Sequence, residues 1–187
     1  MNDISNPEAL GKRNTVNTRI SFIPAAVVFL WLGALFPADK ALGQQAENTL
    51  KNQLVGTWIL VSNFTNRDDG SKVDLLGPNP KGMLMIDNHD HFSAHEMRSD
   101  LPRFGSNSRQ GTEAESKAIM LGSIAYFGTY TIDEAAKTLT VHIDACSFPN
   151  WNGTDQKKSF TVSKDELTWS DAGLGGGPVY TIWKRAR

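Results

Sequence analysis

The feature that most constrains this chain is a succession of short segments rich in β-branched and aromatic residues, several of them separated by short polar turns. The turn at residues 66–70 reads NRDDG, and the one at residues 133–137 reads DEAAK. The eight segments lie at residues 54–64, 82–86, 91–97, 125–132, 138–144, 156–163, 167–170 and 178–184. Short strands with so little chain between them are typical of antiparallel barrels. The sequence therefore predicts a mainly all-β fold, an antiparallel barrel of about eight strands.

One helix is predicted in the middle of this run of strands, over residues 112–122. Thr112 and Glu115 form a capping-box pattern, in which each side chain accepts a hydrogen bond from the backbone N–H of the other residue. Ala114 and Ala118 then recur at helical spacing. The helix interrupts the strands without dividing the barrel into two domains.

The composition of the chain excludes several classes of protein. Of 187 residues, 40% are apolar and 21% are charged, which is ordinary for a globular domain and excludes a coiled coil, a collagen-like fold and extended disorder. Lys and Arg together number 19 against 20 Asp and Glu, a formal net charge of −1. With no basic excess, we expect no binding to nucleic acid or to an anionic membrane through the net field of the protein.

The first 43 residues have the organisation of a signal peptide. Basic residues precede an unbroken apolar run at 25–36, and Ala41 and Gly43 place small side chains at a cleavage site before Gln44. An uncleaved anchor is the alternative, because the whole apolar stretch of residues 20–36 reaches the lower end of spanning length. We expect cleavage, and therefore a periplasmic or secreted protein without a remaining membrane span.

Cleavage would leave a flexible leader at residues 44–52, with one helical turn, and a barrel domain at residues 53–187. Removing residues 1–43 takes away four basic and three acidic residues, so that 15 basic face 17 acidic residues in the 144 that remain. A domain of this size buries about two thirds of its unfolded surface and needs no covalent cross-links. This agrees with the single cysteine, Cys146, which can form no internal disulfide.

Motifs spread over residues 54–183 form a pattern known from other barrels. Gly56-Thr57-Trp58 lies in the first predicted strand, and Arg185 follows the last one. The further motifs lie at residues 73–82, 91–94, 126–130 and 148–156. Together they resemble the bacterial and fungal lipocalin-like domain family.

This resemblance implies a calycin-type barrel with an internal cavity for a small apolar molecule. In such barrels the Trp of a Gly-x-Trp motif packs at the closed end, and a basic side chain of the final strand lies across its ring as a cation–π contact. The matching positions here are Gly56, Trp58 and Arg185. Because this chain has its helix mid-chain and no disulfide, unlike better known lipocalins, the resemblance implies the barrel but no particular ligand and no cofactor.

The most unusual polar pattern of the strands is Val141-His142-Ile143-Asp144. Alternation places His142 and Asp144 on one face. If that face points into the barrel, His142 can serve as a general base or bind a ligand, with Asp144 orienting its ring. If it points outward, both are solvated, and Thr138 and Thr140 on the same face favour this alternative.

Three histidines near residue 90 raise the question of a metal site. His89 and His91 lie about 6.6 Å apart along a strand, but His95 lies roughly 13 Å beyond His91, too far for one ion. No second motif with metal-ligand spacing accompanies them. We therefore predict exposed histidines and no metal, and His95 is assigned instead to the ligand-binding face of its strand.

Aromatic and methionine side chains are the other candidates for the ligand site. Asn150 and Trp151 lie in a Pro/Asn loop, where a Trp either plugs one end of a barrel or closes over a ligand. The predicted wall residues, which an ordinary filled core would also use, are Tyr126, Tyr130, Met83 and Met85.

Together these features predict an exported barrel that binds a small hydrophobic or amphipathic molecule, with the helix at 112–122 covering one mouth. An enzyme on the same barrel, an isomerase, cyclase or hydrolase using His142 and Asp144 as acid/base, is the alternative. A structural module with a filled core is the third possibility, and it predicts no cavity.

Overall fold

A computed structural model describes residues 49–106, 110–172 and 177–187. The predicted signal peptide at 1–43 and the first five residues of the predicted leader lie outside these ranges. The described chain begins with helix α1 (Leu50–Leu54), which Thr49 caps by accepting a hydrogen bond from the Asn52 N–H at 3.2 Å. Leu54 is fully buried, so α1 is anchored in the core of the domain.

Nine strands and a second helix follow α1. The strands are β1 (Gly56–Asn66), β2 (Lys72–Asp74), β3 (Lys81–Ile86), β4 (His91–Met97), β5 (Ser123–Asp133), β6 (Thr138–Cys146), β7 (Thr154–Val162), β8 (Glu166–Ala172) and β9 (Pro178–Arg185). Helix α2 (Glu113–Gly122) joins β4 to β5, and one 3-10 turn (Pro149–Trp151) joins β6 to β7. The sequence predicted eight of these strands and α2, but it missed β2, which has only three residues.

The strands form one closed antiparallel barrel. Each strand from β3 to β9 pairs with its neighbours in chain order, and β1 pairs with both β3 and β9. The short β2 adds to the end of β1 beyond its pairing with β3. Eight strands therefore close the barrel, with β2 as an extra strand, and the predicted all-β barrel fold is confirmed.

One end of the barrel, here called the closed end, is filled by side chains. The buried Trp58 donates a hydrogen bond from Nε1 to the Leu54 carbonyl at 2.8 Å, and the Arg185 guanidinium lies 4.0 Å from the centre of its ring. Arg185 also donates to the carbonyls of Val55 and Gln53 at 3.0 and 2.5 Å. The guanidinium thus ties α1, β1 and β9 together across the closed end.

Gly56 makes this arrangement possible. Its φ of 141° lies in a region that side-chain-bearing residues rarely adopt, and a Cβ atom there would lie 2.6 Å from Nη1 of Arg185. Any other residue at position 56 would strain the backbone and require the Arg185 guanidinium to shift.

Among the described residues, none of the helices is long and apolar enough to cross a membrane.

Candidate functional site

The other end of the barrel, here called the open end, contains a cavity of about 910 Å³. Antiparallel pairing brings the ends of β1, β4 and β8 and the beginnings of β5 and β9 to the same side of the barrel. Residues from all five strands line the cavity there. The polar and charged residues that line its interior are Asn63, Glu96, Lys158, Asp171 and Thr181. A volume of this size is in the range of small-molecule sites, because those enclose about 300–1,000 Å³.

A bulge in β1 brings one of these polar residues inside. Trp58 and Leu60 point into the barrel, and strict alternation would send Ser62 and Phe64 after them. The register against β9 shifts between Leu60 and Ser62, however, so that the inward positions become 63 and 65. The bulge therefore places Asn63 and Thr65 at the cavity in place of Ser62 and Phe64.

Glu96 is the acidic centre of the cavity. It lies on the inward face of β4 with 4% of its surface exposed. Its Oε2 accepts a hydrogen bond from Asn63 Nδ2 at 2.9 Å, and its Oε1 accepts one from the Tyr126 hydroxyl at 3.4 Å. Burial raises the pKa of Glu96 to about 7, although the Lys158 ammonium and the Asn63 amide act in the opposite direction. This carboxyl group therefore gains or loses its proton near neutral pH.

Lys158 and Asp171 form an ion pair beside Glu96, in which the lysine is buried and the Asp171 side chain is 20% exposed. Lys158 is 2% exposed, and its Nζ donates to Asp171 Oδ2 and, at 3.4 Å, to Gln156 Oε1. Its ammonium also lies 5.1 Å from the centre of the Trp169 ring, a cation–π distance. The ammonium thus pairs directly with Asp171 and acts on Glu96 through its charge.

Aromatic rings form a large part of the cavity wall. Tyr126 and Trp151 meet edge to face with ring centres 5.9 Å apart, and Phe148 meets Trp151 at the same distance. Trp169, which lies on β8, also lines the cavity. Burial raises the pKa of Tyr126 well above 10, so its hydroxyl stays protonated and remains a hydrogen-bond donor.

The mouth of the cavity is apolar and is formed in part by α2. Met120 and Leu121 are 60% and 71% exposed, and both lie against the cavity together with Leu75 of the loop after β2. The predicted capping box is present: Thr112 Oγ1 accepts from the Glu115 N–H at 3.2 Å, and Glu115 accepts from the Thr112 N–H at 2.7 Å. The cap sets the residue at which α2 begins. Met120 and Leu121, in the last turn of the same helix, lie at the mouth of the cavity.

Of the predicted ligand-binding residues, the structure brings Tyr126 and Trp151 to the cavity. Tyr130 points inward as well but lies deeper, in the filled core, where its hydroxyl donates to the Asp87 carbonyl at 2.6 Å. Asn150 is exposed, beside Trp151 in the 3-10 turn.

Three other predicted wall residues point away from the barrel. Met83 and Met85 are exposed on the outer face of β3, and His95 is exposed on the outer face of β4. Met83 lies opposite His95 in the pairing of the two strands. The prediction chose the face of β4 that carries the histidines, whereas the inward face carries Phe92, Ala94 and Glu96.

His142 and Asp144 also lie on the outside. Both are exposed, and His142 Nδ1 pairs with Asp155 Oδ1 at 2.7 Å, while Asp144 Oδ1 lies 3.9 Å from His142 Nε2. The inward positions of β6 belong to Leu139, Val141 and Ile143. The acid/base interpretation required the polar face of β6 to point into the cavity, and the structure places it in solvent instead.

The histidines near residue 90 do not converge. His91 pairs with Asp87 at 3.3 Å in the exposed β3–β4 turn, and His89 lies in the same turn. Within residues 49–106, 110–172 and 177–187, no group of three or more His, Cys, Asp or Glu side chains has the geometry of a metal site.

The charged residues of the cavity are those that the sequence analysis missed. Each shares a strand face with apolar neighbours, as Glu96 does with Phe92 and Ala94, and Asp171 with Leu167 and Trp169. A charged residue in phase with the apolar face of a strand is therefore the signal that could have identified them.

The geometry defines a class of protein: a barrel closed at one end by packed aromatic residues and hollow at the other. The chain belongs to the lipocalin-like domain family, whose model matches residues 55–186. The family assignment made from the motifs is thereby confirmed.

Individual relatives are more distant. A 4'-hydroxy-3'-methoxypropiophenone carrier protein of Aspergillus oryzae is 31% identical over 86 residues, which cover 42% of this chain and 78% of that protein. A lipocalin-like protein from Bacteroides uniformis is 13% identical with a TM-score of 0.40, over 72% of this chain and 99% of its own. Secretory abundant heat soluble protein 4 from Ramazzottius varieornatus is also 13% identical, with a TM-score of 0.37, over 74% of this chain and 98% of its own.

Proposed function

We propose that this protein is an exported carrier that binds a small amphipathic molecule in the cavity at the open end of its barrel. The observation that carries the proposal is a cavity of about 910 Å³ with an apolar mouth and a polar, charged interior. A ligand with an apolar body and one polar head would match both parts. A module with a filled core, the third possibility raised by the sequence, predicts no cavity of this size.

The chemistry of the walls supports an aromatic or aliphatic body for the ligand. Rings of Tyr126, Trp151 and Trp169 line the cavity, and Met120 and Leu121 leave apolar surface exposed at its mouth. Exposed apolar surface around a concave site is typical of ligand-binding grooves. The curated Aspergillus relative is named as a carrier of an aromatic ketone, which supports a carrier function of this kind.

A filled-cavity variant tests the binding site directly. Val179 lines the cavity from β9, and Val61 lies on the outer face of β1. We expect Val179→Trp to occupy the cavity and to lower the affinity for a naphthalene probe at least tenfold, whereas Val61→Trp serves as the matched control. Both are measured by fluorescence titration of the purified full chain. Equal affinity in the Val179→Trp and Val61→Trp variants would refute binding in the cavity.

The natural ligand is accessible by native mass spectrometry. The protein is purified from its producing cell without detergent, and the mass of the intact complex is compared with that of the denatured chain. A stoichiometric small adduct, recovered by organic extraction, supports the carrier function. A chain that carries no adduct and also fails to bind the naphthalene probe contradicts it.

The export of the protein is the second part of the proposal. It is supported by the basic, apolar and small-residue regions of residues 1–43. We expect the mature protein to begin at Gln44 and to be recovered from the periplasm or the medium of the producing cell, as shown by N-terminal sequencing of the purified chain. A chain that keeps Met1 and remains in the membrane fraction would instead indicate an uncleaved anchor.

One observation favours a second candidate function, acid/base catalysis in the same cavity. Glu96 has a pKa of about 7 and lies against the Tyr126 hydroxyl, as a general acid or base working at neutral pH requires. The acid/base role considered for His142 would thereby pass to Glu96. The test is to incubate the extracted ligand with the protein and with Glu96→Gln: a rearranged or hydrated product that forms only with the unmodified chain indicates an enzyme.

A further inference from the structure

We propose that the cavity selects ligands whose polar head donates hydrogen bonds and carries no negative charge, that an ammonium head binds most tightly, and that carboxylates are excluded. This inference rests on the function proposed above, because it concerns the head group of a molecule bound in the same cavity. It follows from the charges, the hydrogen-bonding capacity and the proton equilibrium of the cavity residues.

The charges that line the cavity are mostly acidic. Glu96 and Asp171 lie inside and Asp68 lies at the rim, and Lys158 is the one basic residue among the described residues that line it. Lys158 already donates to Asp171 and Gln156. Once Glu96 is ionised, the interior holds two carboxylates against one ammonium. A cationic head would balance this charge, and an anionic head would add a third negative group in a poorly solvated space.

The hydrogen-bonding capacity of the interior points the same way. A carboxylate offers about four lone-pair positions. Among the described residues, Asn63 donates one hydrogen bond to Glu96 Oε2 and Tyr126 donates one to Glu96 Oε1. The strongest donors of the cavity, Lys158 and Tyr126, are both directed at carboxylates. The interior therefore has more acceptor than donor capacity left for a ligand, and a head group that donates, such as an ammonium or a hydroxyl, fits it.

The proton on Glu96 and a cationic ligand compete for the same negative charge. The groups that face Glu96 are Lys158 and Asp171 from β7 and β8 and Tyr126 from β5, while Asp68 lies at the rim and Cys146 lies beside Tyr126 on β6. Below pH 7 the carboxyl group is protonated, and an ammonium ligand must displace that proton. Its affinity should then fall about tenfold per pH unit towards acid and become constant above pH 7. A neutral ligand displaces no charge and should show a shallower dependence.

Three probes with one aromatic body separate the head groups: naphthylmethylamine, naphthylmethanol and naphthoate. Each is titrated into the full chain near pH 8 by isothermal calorimetry. We expect the amine to bind at least tenfold more tightly than the carboxylate, with the alcohol between them. A carboxylate that binds as tightly as the amine overturns the head-group selection and leaves the carrier function standing. If none of the probes binds, the carrier function fails and this inference fails with it.

A pair of Glu→Gln variants tests the role of Glu96. Glu96→Gln keeps the shape of the side chain but has no charge, so we expect about tenfold weaker amine binding near pH 8 and loss of its dependence on pH between 6 and 8. Alcohol binding should change less than threefold. The matched control is Glu166→Gln, an exposed residue at the beginning of β8 near the closed end. An unchanged pH dependence in Glu96→Gln would overturn the proton exchange.

Discussion

The two ends of the barrel use the same strands for opposite purposes. At the closed end, Trp58 and Trp183 are fully buried in an apolar core, and Trp58 has both a hydrogen-bond acceptor and a cation above its ring. At the open end, Glu96 and Lys158 are just as buried, but they border a cavity. Burying ionisable groups costs free energy that apolar residues of the same volume would not. The closed end therefore stabilises the fold, while the open end retains buried polar groups that the fold alone does not need.

The largest expected effect is the loss of an indole ring at the closed end. Trp58→Ala removes a fully buried side chain and the contact surface for Arg185, so we expect a loss of about 3–5 kcal/mol in the free energy of unfolding, measured by urea denaturation. Trp151→Ala, at the half-buried cavity wall, should cost less than about 2 kcal/mol and should weaken ligand binding instead. A similar loss of stability in both variants would contradict the division between the two ends.

The pH dependence of stability provides the second prediction. Glu96 titrates near 4.5 in an unfolded chain and at about 7 in the folded one, so the folded state holds its proton more strongly between these values. The contribution of Glu96 is therefore fully present below pH 4.5 and is lost as pH rises through 7. From the size of the shift we expect a decline of about 3 kcal/mol in the free energy of unfolding between pH 4 and 8.

The comparison with Glu96→Gln isolates this contribution from all other titrating groups. Gln cannot lose a proton, so the variant should lack the decline that Glu96 causes, and the difference between the two chains should grow with pH in favour of the variant. Urea denaturation of both chains at several pH values measures it. A constant difference across this range would mean that Glu96 titrates in the folded chain as it does in the unfolded one.

The sequence predicted the fold better than the site, for a physical reason. Strand β4 was predicted with the observed bounds, His91–Met97, and the capping box of α2 was identified, because alternation and capping are local properties. The inward face of β4 was not predicted, because His95 was assigned to the ligand site for its chemistry. Phe92, Ala94 and Glu96 alternate with His95 along the strand and point inward.

Other features of the site depend on contacts between distant parts of the chain. Asn63 reaches the cavity only through the bulge between Leu60 and Ser62, which exists in the pairing of β1 with β9, more than a hundred residues later. The proximity of Glu96, Lys158 and Asp171 follows from the closure of the barrel. No local pattern in the sequence predicts the bulge or these proximities. The phase of the strands could have identified the inward charged residues, but not their arrangement around one cavity.

A smaller effect is expected at the mouth, where α2 depends on its cap. Thr112→Ala removes the acceptor for the Glu115 N–H and should cost about 1 kcal/mol of stability. Because α2 carries Met120 and Leu121, we also expect a few-fold weaker binding of the naphthalene probe. Thr112→Ser keeps the acceptor and should restore both values. Weak binding in the Ser variant would show that the methyl group of Thr112, and not its cap, matters for the mouth.

The smallest effect is expected on the outer face of β6 and separates the cavity from the remaining polar surface. His142 is 48% exposed in its side chain and contacts Asp155 and Asp144 in solvent. His142→Ala should therefore change the free energy of unfolding by less than about 0.5 kcal/mol, because exposed ion pairs contribute little. It should also leave the affinity for the amine probe within twofold, since no part of the His142 ring lines the cavity. Calorimetric titration alongside Glu96→Gln measures this. A tenfold loss of amine affinity in His142→Ala would show that the ligand contacts the outer face of β6 and not the cavity. It would support the acid/base role predicted for His142 from the sequence.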